Sequence, residues 1–204
     1  AFLCAAPLER LAPAGLESVR SGGDDDPVRR IMGRRADRGR DVRSSMATDV
    51  TRAELELAFA HYCDVRERAI ATSDWRRWAA LFTEDARYVE HAYGEFHGRQ
   101  AIADWIVGVM EPFPMMTFPN DWVVFDPEQS FVVFQCQNRL PHPTDPSGPP
   151  FQFPTWTKLD YAGDGLWSCE EDVYNPKKAA AVIQAWIQAG GRLAARERVK
   201  MRDL

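Results

Sequence analysis

Residues Asp74–Ile106, DWRRWAALFTEDARYVEHAYGEFHGRQAIADWI, switch hydrophobic period twice within one short run. Ser73 and Asp74 open it as helix caps, because their side-chain oxygens accept from free backbone N–H groups. Trp75, Trp78, Leu81 and Phe82 then recur at helical spacing and form one apolar face. Thr83, Glu84 and Asp85 break that pattern, and Ala86 to Tyr93 reads as a strand. Gly94 and Gly98 bracket a tight reversal, and Ile102, Trp105, Ile106 and Val109 give a second amphipathic helix its apolar face. Within the strand, His91 lies between Val89 and Tyr93 on a face that the alternation makes apolar. It is the first candidate for chemistry.

Upstream of this run, Thr51 with Glu54 forms a capping box that opens a helix reaching Thr72. Leu55, Phe59, Tyr62, Cys63, Ala69 and Ile70 form its buried stripe, and Arg66 lies on the same stripe. Arg66 either snorkels outward or faces a polar pocket. Downstream, Pro112, Pro114 and Pro119 mark an irregular connection, after which the period becomes two. Trp122–Phe125, Phe131–Arg139, Thr155–Tyr161 and Leu166–Tyr174 read as strands. Ala162-Gly-Asp-Gly is a strong hairpin signal, and a proline-rich loop from Pro141 to Pro154 separates the middle two strands. Asn175 caps a last helix with Pro176 at its first position, and Gly190-Gly191 ends it.

Inward-facing polar groups cost stability unless they have a partner or a task. The alternation places Asn138 in series with Val132, Phe134 and Cys136, and Glu171 in series with Trp167, Cys169 and Val173. With His91 these could surround one pocket. The bland alternative is an Asn at a strand end, a Glu171 paired with an inward Arg such as Arg66, and a His91 bonded to a backbone carbonyl.

The net charge of −5 conceals an asymmetry, since residues 1–45 carry nine Arg against seven acids and the remainder 16 bases against 23 acids. An acidic domain does not suit nucleic acid, whose phosphates demand a basic face. No apolar run approaches the roughly 20 residues of a membrane span. Cys63, Cys136 and Cys169 sit in apolar patterns without ligand spacing, which reads as buried free thiols in a reducing cytoplasm. His91 and His97 lack a converging third ligand, so no metal is expected. No glycine-rich phosphate loop follows a strand and no Gly-x-Ser-x-Gly elbow occurs, so nucleotide-dependent and serine-hydrolase chemistry find no support.

Three segments follow. Residues 1–45, rich in Arg, Gly, Pro and Asp, read as a disordered extension that lies upstream of a plausible start at Met46; an Arg-rich arm for an anionic partner is the alternative. Residues 46–190 form the domain, and 191–204 a charged tail.

The residues Leu81-Phe-Thr-Glu-Asp-Ala86, Tyr88-Val-Glu-His91, Gly98-Arg99, Asn138-Arg-Leu-Pro141 and Glu170-Glu-Asp-Val-Tyr-Asn-Pro176 resemble the nuclear transport factor two-like superfamily. The closer resemblance is to its SnoaL-like, ketosteroid-isomerase-like branch, over about Thr51 to Gln188. That resemblance implies an α+β fold, a cone-shaped barrel whose curved, mostly antiparallel sheet wraps around N-terminal helices. In the ketosteroid isomerases the strand after the Leu-Phe-x-x-Asp-Ala segment carries a Glu-Asp pair whose Asp shuttles the proton. The matching pair here is Glu90-His91, so His fills the base position. The oxyanion-stabilising Tyr of the first helix falls near Arg66, and Tyr62 lies one turn earlier.

The resulting expectation is a cofactor-independent isomerase, dehydratase or cyclase acting on an apolar or aromatic small molecule. His91 moves the proton, Tyr62, Asn138 or Arg66 donates to the oxyanion, and Glu171 orients a partner. Arg66, Tyr88, Trp105, Trp122 and Phe134 line the pocket. The opposing expectation is a non-catalytic ligand-binding or dimeric assembly domain of the same fold. Either way a homodimer is expected, because Trp122-Val-Val-Phe125 and Phe131-Val-Val-Phe134 are apolar on both faces.

Overall fold

The computed structural model describes residues 50–194. The extension at 1–45 lies outside the described residues, as does the tail beyond Ala194. The elements run α1 (Arg52–Thr72), α2 (Trp75–Ala79), β1 (Phe82–Glu90), β2 (Gly94–His97), α3 (Arg99–Met110), β3 (Asn120–Asp126), β4 (Phe131–Leu140), β5 (Phe151–Gly163), β6 (Leu166–Val173) and α4 (Pro176–Gln188). The expected caps form. Thr51 accepts from the Glu54 N–H at 3.1 Å, Asp74 from the Arg77 N–H at 3.3 Å, and Asn175 from the Lys178 N–H at 3.1 Å.

The strands make one curved, unclosed sheet in the order β2-β1-β6-β5-β4-β3. Only β1 and β6 pair in parallel. The α+β class is as expected. The expected reversal at Gly94 to Gly98 is itself a short strand, β2, paired antiparallel with β1. Gly98 ends it with φ +85°, where a Cβ would stand 3.3 Å from the Glu84 carbonyl oxygen. Strand β5 starts earlier than its alternation suggests and runs through Pro154. Pro154 is tolerated because its end of β5 extends beyond the β6 pairing, and the facing Gln137 N–H donates to the Pro119 carbonyl at 3.0 Å.

The inner face of the sheet packs against α1, α2 and α3. Leu55, Phe59 and Tyr62 of α1, Trp78 of α2, Ile102 of α3 and Phe134 and Trp167 of the sheet belong to one core. Near α4, Trp186 donates its indole N–H to the Pro141 carbonyl at 2.9 Å. The first residues of the expected tail pack as well. Leu193 lies against the core, and the Ala194 N–H donates to the Pro112 carbonyl at 3.1 Å. Among the described residues no helix is long and apolar enough to cross a membrane.

A single extra residue decides what faces inward on β6. Trp167 and Cys169 pair with Tyr161 and Asp160, so one step on β5 faces two on β6 and Ser168 is the bulge. Because side chains alternate with period two, this exchanges the faces beyond it. Trp167 points into the core, and Glu170 and Asp172, rather than Glu171, follow it inward.

Candidate active site

Between the sheet and the helices lies a cavity of about 140 Å³. Tyr62 and Arg66 of α1, Trp75 and Trp78 of α2, Trp105 and Met110 of α3, and Ile183 of α4 form the helical side. The sheet contributes Tyr88 and Glu90 from β1, Phe134, Cys136 and Asn138 from β4, Thr155 and Thr157 from β5, and Glu170 and Asp172 from β6. The wall is mostly aromatic, with Tyr88 and Trp105 centroids 4.6 Å apart and Tyr62 and Trp78 5.8 Å apart. Its carboxyl groups come from two adjacent strands, β1 and β6. The parallel register pairs Tyr88 with Glu170 and Glu90 with Asp172, so three carboxyl groups share one patch of the inner face.

Hydrogen bonding shows how the pair on β6 is held. The Tyr62 hydroxyl stands 3.1 Å from both oxygens of Glu170. The Tyr88 hydroxyl stands 2.6 Å from Asp172 Oδ2 and 3.1 Å from Glu170 Oε1, while Thr157 donates to Asp172 Oδ1 at 2.5 Å. A tyrosine hydroxyl has only one hydrogen. Tyr88 gives it to Asp172, the nearer acceptor, and its own oxygen is then satisfied by a proton on Glu170. Electrostatics agree with that assignment. Burial and the neighbouring Asp172 push the Glu170 carboxyl well above the usual range, and burial raises Asp172 as well. Of the pair, Glu170 is the one held further toward its neutral form. Glu170 is only 2 % exposed, whereas Asp172 is enclosed by protein yet keeps accessible surface along the cavity.

Arg66 faces this polar pocket rather than snorkelling outward. Its Nη2 donates to the Phe118 carbonyl and to Asn120 Oδ1, both at 2.9 Å, and the guanidinium lies over the Tyr62, Phe118 and Phe134 rings. Asn138 lines the cavity but gives its amide to Thr155 Oγ1 at 2.6 Å. Burial pushes the Cys136 thiol up to about 12, which leaves it protonated and unreactive at neutral pH. Cys63 and Cys169, expected to be buried, are only half-buried.

Six of the residues expected from sequence thus meet in the cavity, namely Tyr62, Arg66, Tyr88, Trp105, Phe134 and Asn138. Three do not. His91 lies in the turn after β1, with its side chain 56 % exposed and its Nε2 2.9 Å from Glu171 Oε1. The inward residues of β1 are Ala86, Tyr88 and Glu90, so the face read for His91 was wrong by one residue. Glu171 is displaced by the bulge at Ser168. Trp122 stacks edge-on with Trp156 at 5.4 Å, away from the cavity lining. Glu90, Glu170, Asp172 and Thr157 were missed. Their signal was present as two alternating series, Tyr88 with Glu90 and Glu170 with Asp172 and Tyr174, once strand parity is known. Among the described residues no three His, Cys, Asp or Glu side chains gather as a metal site.

This chain matches the SnoaL-like domain family over residues 62–169. It belongs to that family. The SnoaL-like domain also resembles solved structures at low identity. A provisionally assigned SnoaL-like polyketide cyclase from Jannaschia sp. CCS1 is 19% identical, with a TM-score of 0.51 over 65% of this chain and 93% of its own. Another from Shewanella putrefaciens CN-32 is 12% identical, with a TM-score of 0.52 over 65% of this chain and 86% of its own. Such identities speak to the fold alone. No curated protein matches the SnoaL-like domain described here. The family match stops one residue short of Glu170, so the acidic pair lies outside it.

Proposed function

We propose that the domain is an enzyme that moves a proton within an apolar or aromatic small molecule, as in isomerisation, dehydration or cyclisation through an enol. The observation that carries this is the Glu170–Tyr88–Asp172 hydrogen-bond chain at the wall of an aromatic cavity. Asp172 is the general base: it takes a proton from carbon next to a carbonyl, and the electron pair passes to the carbonyl oxygen. A carboxylate raised by burial is a stronger base than one in water and suits this task. Arg66 is the cation that faces the cavity among the described residues and stabilises the developing oxyanion. The Tyr62 hydroxyl gives its one hydrogen to Glu170, and Asn138 spends one amide hydrogen on Thr155 Oγ1. The proton on Asp172 returns to a second position of the substrate, and Tyr88 links it to Glu170 as a relay. His91, expected as the base, is not among the residues lining the cavity. The provisional assignment of the two structural neighbours as cyclases names one reaction within this class.

Deuterium incorporation into a panel of small aryl ketones in D2O, followed by NMR, tests the reading. Exchange accelerated by the wild-type protein and lost in folded Asp172→Asn supports it. No acceleration for any ketone, or exchange undiminished in Asp172→Asn, overturns it.

A further inference from the structure

One carboxyl group in the cavity is left over from the proton-transfer machinery. Glu90 is 3 % exposed and lines the cavity, yet its Oε1 has no hydrogen-bond partner. Its Oε2 accepts from the Tyr93 backbone N–H at 2.6 Å, and the Tyr174 hydroxyl and the Ala92 backbone N–H also reach this carboxyl. A buried carboxylate oxygen with no partner is costly, and in native proteins it calls for an explanation. The charge balance sharpens the point. Arg66 acts on both Glu170 and Asp172, whereas among the described residues no ion pair joins a cation to Glu90. Around that end of the cavity stand aromatic rings, Tyr93 and Trp105 with centroids 6.3 Å apart and Tyr174 against Phe153 at 5.6 Å. Ring faces and a carboxylate together form the environment that draws an organic cation out of water.

We infer that the cavity takes an organic amine, an apolar or aromatic molecule whose ammonium group seats on Glu90 Oε1 against the rings of Tyr93, Trp105 and Tyr174. An ammonium N–H supplies the missing donor, and the aromatic wall replaces part of its hydration. The groups facing Glu90 are Asp172 on β6, Tyr174 beyond it and the backbone after β1, and none of them is basic. Burial raises the Glu90 carboxyl, and a bound cation favours its ionised form. This inference rests on reading the cavity as a ligand site and adds the class of ligand.

Two probes of the same size separate the charge from the shape: benzylamine, protonated at neutral pH, and benzyl alcohol. Tryptophan fluorescence titration at pH 7.5 is expected to show benzylamine binding roughly tenfold or more tighter, the scale of one charged hydrogen bond. Glu90→Gln should erase the preference and leave benzyl alcohol unchanged. Should that variant not fold, the wild-type protein gives the same answer, with amine affinity falling as pH drops through the raised Glu90 range while alcohol affinity stays level. Equal or tighter binding of the alcohol, or an amine preference that survives Glu90→Gln, overturns the inference while leaving the cavity a ligand site. Failure of both probes to bind overturns the inference and weakens the proposed function with it. An intact amine preference with no Asp172-dependent exchange sinks only the proton-transfer reading.

Discussion

The two faces of the sheet bear similar residue types and opposite properties. On the inner face Glu90, Glu170 and Asp172 sit among Tyr and Trp rings, and burial raises all three carboxyl groups. On the outer face Glu171 pairs with His91 in the open, and Val124, Trp156 and Val173 are 56 %, 55 % and 52 % exposed. Neighbouring acids in one Glu-Glu-Asp sequence are thereby divided between a reactive environment and an ordinary one. Desolvation makes the difference, because an ionised group loses its hydration only on the inner face.

The largest expected effect breaks the comparison at its centre. Asp172→Asn should lower turnover by about 10²–10⁴, the usual contribution of a positioned acid–base group, while circular dichroism shows an intact fold. Wild-type turnover should fall as pH drops through the raised Asp172 range, since only the carboxylate accepts a proton.

On the outer face, the exposed Val124, Trp156 and Val173 support the proposal of a homodimer built on this surface, because so large an apolar patch is rarely left to solvent. Light scattering at micromolar concentration should give twice the chain mass, and Trp156→Glu combined with Val124→Glu should give a monomer. A monomeric wild-type protein would end that proposal.

A smaller effect follows from the upward shift of Glu170. Its folded-state pKa lies above its unfolded one, so the folded state holds the extra proton. The stability it contributes is full below the usual Glu range and declines as pH rises toward the folded value. Glu170→Gln keeps the neutral shape and removes that loss, so its Tm should exceed wild type at pH 8 and match it at pH 4. Equal Tm values at both would show an ionised Glu170.

Last, His91→Gln should change stability by only about 0.5 kcal/mol and leave turnover alone, since exposed ion pairs contribute little. A large loss of turnover would return His91 to the mechanism.

Much of the inner face was legible in the sequence. The helical stripe of α1 placed Tyr62 beside the core, and the unbroken alternation of β4 placed Phe134 and Asn138 toward the cavity. Strand β6 was not legible, because the extra residue at Ser168 leaves no mark in a pattern of single-residue alternation. In β1 the parity was ambiguous, with Tyr88 and Glu90 on one face and Val89 and His91 on the other. Both faces offer a bulky residue and a titratable one.

The sequence by itself determined the order of the helices and of the strands other than β2, with the helix caps, because those rest on local propensity and period; its motifs carried the resemblance to the SnoaL-like branch. It also determined that acids outnumber bases from Met46 onward. Only the tertiary structure decided which acids are buried. That choice depends on strand register: the parallel pairing of β1 with β6 sets Glu90 beside Asp172 and Tyr88 beside Glu170, and the bulge turns Glu171 out. A one-residue shift in β1 would bring His91 inside and turn Glu90 out, and one in β6 would bring Glu171 inside and turn Glu170 and Asp172 out.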